Sequence, residues 1–146
     1  MNDKLIKFLV EAKKVTYAGS GVKTTPTRFK SNDYEYIQDN KIYHDTYFGG
    51  SNFIGEEIVY VNEIPFWAMN YIGRVTGDNF KIDFLKEALK NTSLEMPYRG
   101  PGSFKKDEYE YICEVNGDIN WFQGKEIIMY NNEEIYESFF HGGLIK

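Results

Sequence analysis

The stretch from Gly55 to Gly73, "GEEIVYVNEIPFWAMNYIG", returns near the end of the chain within "GKEIIMYNNEEIYESFFHGG", Gly124 to Gly143. Gly55/Gly124, Glu57/Glu126, Ile58/Ile127, Asn62/Asn131 and Gly73/Gly142 coincide. Three further blocks recur in the same order. "FLVEA" (Phe8–Ala12) answers "FLKEA" (Phe84–Ala88), "YAGSG" (Tyr17–Gly21) answers "YRGPG" (Tyr98–Gly102), and "DYEYI" (Asp33–Ile37) answers "EYEYI" (Glu108–Ile112). The pattern predicts a tandem duplication of one unit, residues 1–77 and 78–146, within a single domain over 1–146. Two copies are too few for a solenoid, so a pseudo-twofold pair packed face to face is expected.

Each unit opens on helical periodicity. Leu5, Phe8, Leu9 and Ala12 share one helix face with Asp3 as N-cap; Ile82, Leu85, Ala88 and Leu89 share another, capped from Asp78 or Asn79. Strand-like runs follow. The "YICEV-NG-DINWF" segment predicts a hairpin turning at Asn116-Gly117, answered in the first unit by "YEYIQ-DN-KIYHDTYF". Second hairpins turn near Asn62-Glu63 and Asn131-Asn132. The expected fold is α+β: an α-β-β-β-β unit written twice, giving two helices on antiparallel sheet, with long loops over residues 21–32 and 95–107. Alternation puts Trp67, Met69 and Tyr71, with Tyr136, Ser138 and Phe140, on the inner face. Phe66, Ala68, Asn70 and Ile72, with Ile135, Glu137, Phe139 and His141, fall outside.

Charge and composition narrow the function classes. A formal net charge of -5 argues against nucleic-acid binding by the chain itself, which needs a basic surface to neutralise phosphates. The N-terminus is locally basic: Lys4, Lys7, Lys13, Lys14, Lys23, Arg28 and Lys30 face only Asp3 and Glu11. That makes the first helix a candidate docking surface for an acidic protein partner. No apolar run reaches the ~18 residues of a membrane span, and the N-terminal apolar stretch is broken by charges, so neither membrane nor signal peptide is expected. Cys113 is the only cysteine, which suits a reducing compartment, and a cytoplasmic location is expected.

Aromatic residues make up 17% of the chain and carry the main functional signal. Glu56 and Glu57 among Tyr34, Tyr36, Trp67 and Tyr71 suit a pocket for a cationic or planar apolar ligand. Positions that break the repeat are candidates for specialised work. Arg99 stands where the first unit has Ala18 and could grip an anionic group, and His141 stands where it has Ile72. His141 beside Glu137 or Glu126 forms the weak catalytic candidate, a hydrolase-type base. His44-Asp45 does not make a metal pair, because neighbours on a strand face opposite ways, and no metal or cofactor is expected. Cys113 in "YICEV" reads as a packing residue.

Further strings carry a family likeness: "YFGG" (Tyr47–Gly50), "FIGEE" (Phe53–Glu57), "NYIGRV" (Asn70–Val75), "PYRGP" (Pro97–Pro101), "WFQG" (Trp121–Gly124) and "FHGGLI" (Phe140–Ile145). Through them nearly the whole chain resembles a bacterial family of uncharacterised domains. Some members of that family follow a helix-turn-helix in transcriptional regulators. The resemblance implies a stand-alone copy here, since only one helix precedes the first strand, and it brings no catalytic residues with it. The expectation is therefore a non-catalytic sensor that binds a small molecule or peptide. A small hydrolase using His141, and a protein-interaction subunit, are the alternatives.

Overall fold

The computed structural model describes residues 1–19 and 21–146; Ser20, inside the Tyr17–Gly21 block, lies outside the described residues. Helix α1 (Asp3–Val15) is capped by Asn2, whose side-chain oxygen accepts the Leu5 N–H at 3.0 Å. Asp3 sits one position further in, where its charge meets the positive end of the helix dipole rather than capping it. The stripe of Leu5, Phe8, Leu9 and Ala12 is buried as its spacing predicts, and Lys13 is buried with it. Helix α2 (Ile82–Leu89) starts from Lys81 without a side-chain cap. Asn79 takes a left-handed turn instead (φ 68°), and its carbonyl accepts the Tyr109 hydroxyl at 2.7 Å. The α2 stripe is Phe84, Leu85, Ala88 and Leu89, with Ile82 left 44% exposed.

The strands are β1 (Asn32–Gln38), β2 (Lys41–Gly49), β3 (Asn52–Val61), β4 (Ile64–Val75), β5 (Ser103–Lys106), β6 (Tyr109–Asp118), β7 (Trp121–Tyr130) and β8 (Glu133–Leu144). They form one eight-stranded antiparallel sheet in the order β1-β2-β3-β4-β8-β7-β6-β5, so the class is α+β. The two halves meet where β4 pairs with β8, with Tyr71 opposite Phe140. Helix α1 lies over β1 and β2 and α2 over β6, both on the same face. That face holds the core, with Tyr43, Val59, Trp67, Met69, Tyr111, Ile128, Tyr136 and Phe140 buried beneath the helices.

The turns at Asn62-Glu63 and Asn131-Asn132 stand where predicted, all four residues at positive φ as tight hairpins require. The Asn116-Gly117 turn does not. The reversal falls at Ile119-Asn120, where the Asp118 carboxylate accepts the Asn120 N–H at 2.8 Å. Gly117 lies inside β6 at φ +95°, where any Cβ would strike the Trp121 carbonyl, and Gly49 repeats this on β2 at φ +96° against Asn52. The glycine answers a close strand approach rather than a turn. In consequence "WFQGKEIIMY" is one strand, β7, and the missing strand is β5, taken from the predicted loop over 95–107.

A related correction concerns the third repeated block. "DYEYI" forms the edge strand β1, whereas "EYEYI" leads into β6, second from the opposite edge, so those two segments occupy inequivalent places. Alternation is otherwise obeyed, save at Ile135, which is buried although predicted outside. The register slips between Ile128 and Met129, so Ile135 joins the inward set as the extra residue of a bulge. The β3–β4 ladder slips likewise beside Val59. The Thr76 N–H donates to the Ile135 carbonyl, and the Ile145 N–H donates to the Phe66 carbonyl, both at 2.9 Å.

Gly55 and Gly124 lie beneath rings from the next strand. A Cβ on Gly55 would strike the Tyr71 phenol, and one on Gly124 would strike the tip of Phe140. Overpacking of this kind costs about 1–3 kcal/mol. Gly124→Ala is expected to lower stability by about that amount, read as a lower urea midpoint at unchanged slope.

Candidate functional site

The helices do not cover the inner face completely. Over the first half of the sheet they leave a cavity of about 330 Å³. Its floor is Tyr43, Asp45 and Tyr47 from β2, Glu57 from β3 and Tyr71 from β4; Leu85 and Leu89 of α2 roof it. Gly49, Gly50 and Ser51 at the β2–β3 turn form an exposed rim. One wall is a stack of rings, Tyr136 lying parallel to Phe80 at 5.4 Å and to Phe53 at 6.2 Å.

Five buried ionisable groups meet around this space. Lys13, at the buried end of the α1 stripe, donates to Glu57 Oε2 and to the Tyr98 carbonyl at 2.5 Å. Arg99, on the segment between α2 and β5, gives Glu126 Oε1 two N–H bonds, at 3.1 and 2.7 Å. Its guanidinium also stacks over the Tyr71 ring at 5.1 Å. Glu126 further accepts the hydroxyls of Tyr111 and, at 2.8 Å, Tyr136. Burial works against both cations. It lowers the Lys13 pKa despite Glu57, whereas at Arg99 the Glu126 carboxylate outweighs it and holds the pKa well above its ordinary value.

Asp45 is the fifth group. Its Oδ1 accepts the Tyr71 hydroxyl at 2.6 Å, and no cation among the described residues pairs with it. Burial, then repulsion from Glu57, pushes its pKa up from 3.8 to about 7. The surrounding phenols of Tyr43, Tyr71 and Tyr136 are held well above 10.0 by burial, so they act as neutral donors near pH 7. Cys113, buried in β6, is pushed up to about 12, also by burial, and is no nucleophile at neutral pH.

The residues singled out from sequence divide sharply. Glu57, Tyr71 and Arg99 line the cavity together. Trp67 is fully buried beside it, stacked on Phe122 with its N–H bonded to the Ile119 carbonyl at 2.9 Å. Tyr34 packs edge-on to Tyr17, which itself lines the cavity, and Tyr36 lies at the helix margin with its hydroxyl on Glu11. Glu56 points to the outer face, 3.6 Å from Arg28. His141 and Glu137 are on that outer face too, and Glu137 pairs with Arg74 and Lys125. The sheet thus separates His141 from both Arg99 and Glu126. Lys13, Asp45, Tyr47 and Tyr136 complete the site unannounced. Two signals pointed to them: a lysine on an apolar helix stripe, and a carboxylate alternating with Tyr43 and Tyr47. Because Lys13 is buried, the basic surface of α1 reduces to Lys4, Lys7 and Lys14.

Two outcomes follow from this charge arrangement. Arg99→Met strands Glu126 as a buried charge and is expected to cost about 3–5 kcal/mol in urea unfolding. Adding Glu126→Gln should recover most of the loss, a coupling measurable by a double-mutant cycle. At Asp45 the folded state holds its proton up to about pH 7, while the unfolded chain releases it near 3.8. Folded protein therefore binds more protons between those values, and its stability falls as pH rises through that window. Asp45→Asn is expected to flatten that part of the stability–pH curve.

Neither the curated proteins nor the solved structures contain a significant match to this chain. A family model does match, over residues 45–145, from Asp45 in β2 to the end of β8; α1 and β1 lie outside the matched segment. The chain belongs to the family described as Domain of unknown function (DUF5680).

Proposed function

We propose that this protein is a non-catalytic binding domain that holds a small organic molecule in the cavity beneath its helices. The observation that carries the reading is the cavity's construction. Enclosing aromatic walls surround a few fixed polar groups, each held by a buried partner, which is how ligand sites are generally built. Its volume corresponds to about ten non-hydrogen atoms at the ~30 Å³ that one water occupies in the liquid. Lys13 and Arg99 are committed to carboxylates and Cys113 to packing, and among the described residues Asp45 is the carboxylate of the cavity left without a cation. That commitment favours binding over catalysis. The location in the cytoplasm, the single domain and the absence of a nucleic-acid or membrane role belong to the same proposal.

The duplication enters here as part of the proposal. Its support is the repeated element order α-β-β-β-β and the sheet order, which reads alike from either edge to the β4–β8 junction. On this reading β2 corresponds to β6, so Tyr43 answers Tyr111, Asp45 answers Cys113 and Gly49 answers Gly117. Phe53/Phe122, Glu57/Glu126 and Tyr71/Phe140 follow in register. The site then lies over one copy's half of the sheet and is closed by α2, Arg99 and Tyr136 of the other. The polar couple Asp45–Tyr71 is replaced in the other by Cys113–Phe140, and Trp67 and Tyr98 close on Phe122 where the first half stays open.

A thermal-shift screen of fragments of about ten non-hydrogen atoms tests the reading. A ligand at 100 times its Kd contributes about 2.7 kcal/mol, or roughly 5–11 °C for a chain of this size. Gly50→Trp places an indole at the exposed rim, where a Cβ meets nothing within 4 Å. It is expected to leave the unliganded midpoint unchanged and to weaken binding. No stabilisation by any fragment of any charge overturns the proposal.

A further inference from the structure

The cavity's charges do not balance. Asp45 and Glu57 line it with Lys13 and Arg99, and Glu126, buried behind Arg99, brings the count to three carboxylates against two cations. Both cations are spoken for by glutamates that Tyr111 and Tyr136 or the helix end hold in place. An anionic ligand would have to displace a buried carboxylate to reach either. Asp45 is the residual group: 3% exposed, with one oxygen on the Tyr71 hydroxyl and no donor among the described residues on the other. Burial favours the neutral form of a carboxylate in that position, and an arriving cation favours the charged one. Around it, Tyr43 and Tyr47 line the floor, and the Phe53–Tyr136–Phe80 stack lends an aromatic wall to an aryl group.

We infer that the ligand is a small monocationic arylalkylamine, its ammonium bound to the free oxygen of Asp45 and its ring laid against the Phe53–Tyr136 wall. This rests on the binding reading above and names its ligand class. The ionisable groups facing Asp45 from the surrounding elements are Lys13 of α1, Tyr17 after it, Tyr34 of β1, Glu57 of β3, Tyr71 of β4 and Arg99. The phenols stay neutral, Lys13 is paired with Glu57 and Arg99 with Glu126, and Asp45 is the unpaired group whose charge changes around pH 7. Binding of the ammonium requires the ionised form. With the pKa at about 7, the ionised fraction rises about tenfold between pH 6 and pH 8, and affinity rises with it.

Calorimetry with three probes of matched size tests this: tyramine (cation), 4-(2-hydroxyethyl)phenol (neutral) and 4-hydroxyphenylacetate (anion). On the intact chain tyramine is expected to bind at least tenfold more tightly than either isostere at pH 8. It should weaken about tenfold at pH 6 and release protons on binding near pH 7, seen as a dependence on buffer ionisation heat. Asp45→Asn, which keeps the carbonyl that accepts the Tyr71 hydroxyl, should erase the preference and the proton release. If that variant does not fold, the three probes at both pH values on the unaltered protein decide alone. Equal or tighter binding of an isostere, a preference that survives Asp45→Asn, or no binding of tyramine overturns the assignment. Stabilisation by a neutral or anionic fragment in that event leaves the binding reading standing, whereas silence from every fragment ends both.

Discussion

The buried pairing of Lys13 with Glu57 and of Arg99 with Glu126 organises this molecule. Each glutamate rises from the sheet into a layer that excludes water, and each is answered by a cation from the covering segments. An isolated carboxylate there would cost several kcal/mol, so the helix layer must be seated wherever its cations meet those two positions. Lys13 fixes α1 over the first half, and Arg99, reaching in from beyond α2, settles above the junction of the halves against Tyr71. Where the covering segments are held by these contacts they cannot also fill the space between them, and that space is the cavity.

Much of the scaffold was legible because period and turn chemistry are local. Leu5, Phe8, Leu9 and Ala12 declare a helix face, and Asn62-Glu63 and Asn131-Asn132 declare tight reversals. The inward set of Trp67, Met69, Tyr71, Tyr136, Ser138 and Phe140 follows from alternation alone. Errors arose where one local signal serves two purposes. Gly117 supplies a positive φ beside Asn116, which is the mark of a hairpin turn, yet the demand comes from the Trp121 carbonyl on the next strand. The short strand β5, "SFKK", has no apolar alternation to announce it, and its partner β6 draws it into the sheet.

The site was harder to read than the scaffold because its polar members look misplaced until the third dimension is known. Glu57 and Tyr71 stood out as a carboxylate among rings, and Arg99 by breaking the repeat. Lys13 read as the basic end of a helix and Asp45 as a failed metal ligand beside His44; only the register β1-β2-β3 sets Asp45 between Tyr34 and Glu57 under Lys13. His141 drew attention as a mismatch between the repeated blocks, and one step of strand parity put it on the outer side of the sheet, which no helix among the described residues covers.

The two bulged hairpins carry a mechanical implication. Phe66 and Ile135, the extra residues of the two bulges, each offer a carbonyl to an amide across the β4–β8 seam, Ile145 in one case and Thr76 in the other, one rung beyond the paired strands at each end. These reciprocal clasps lash the halves together at both ends of the seam. Separated from each other, either half would keep an orphaned acceptor along with an unpaired central strand, so the chain is braced to come apart as a whole rather than piece by piece.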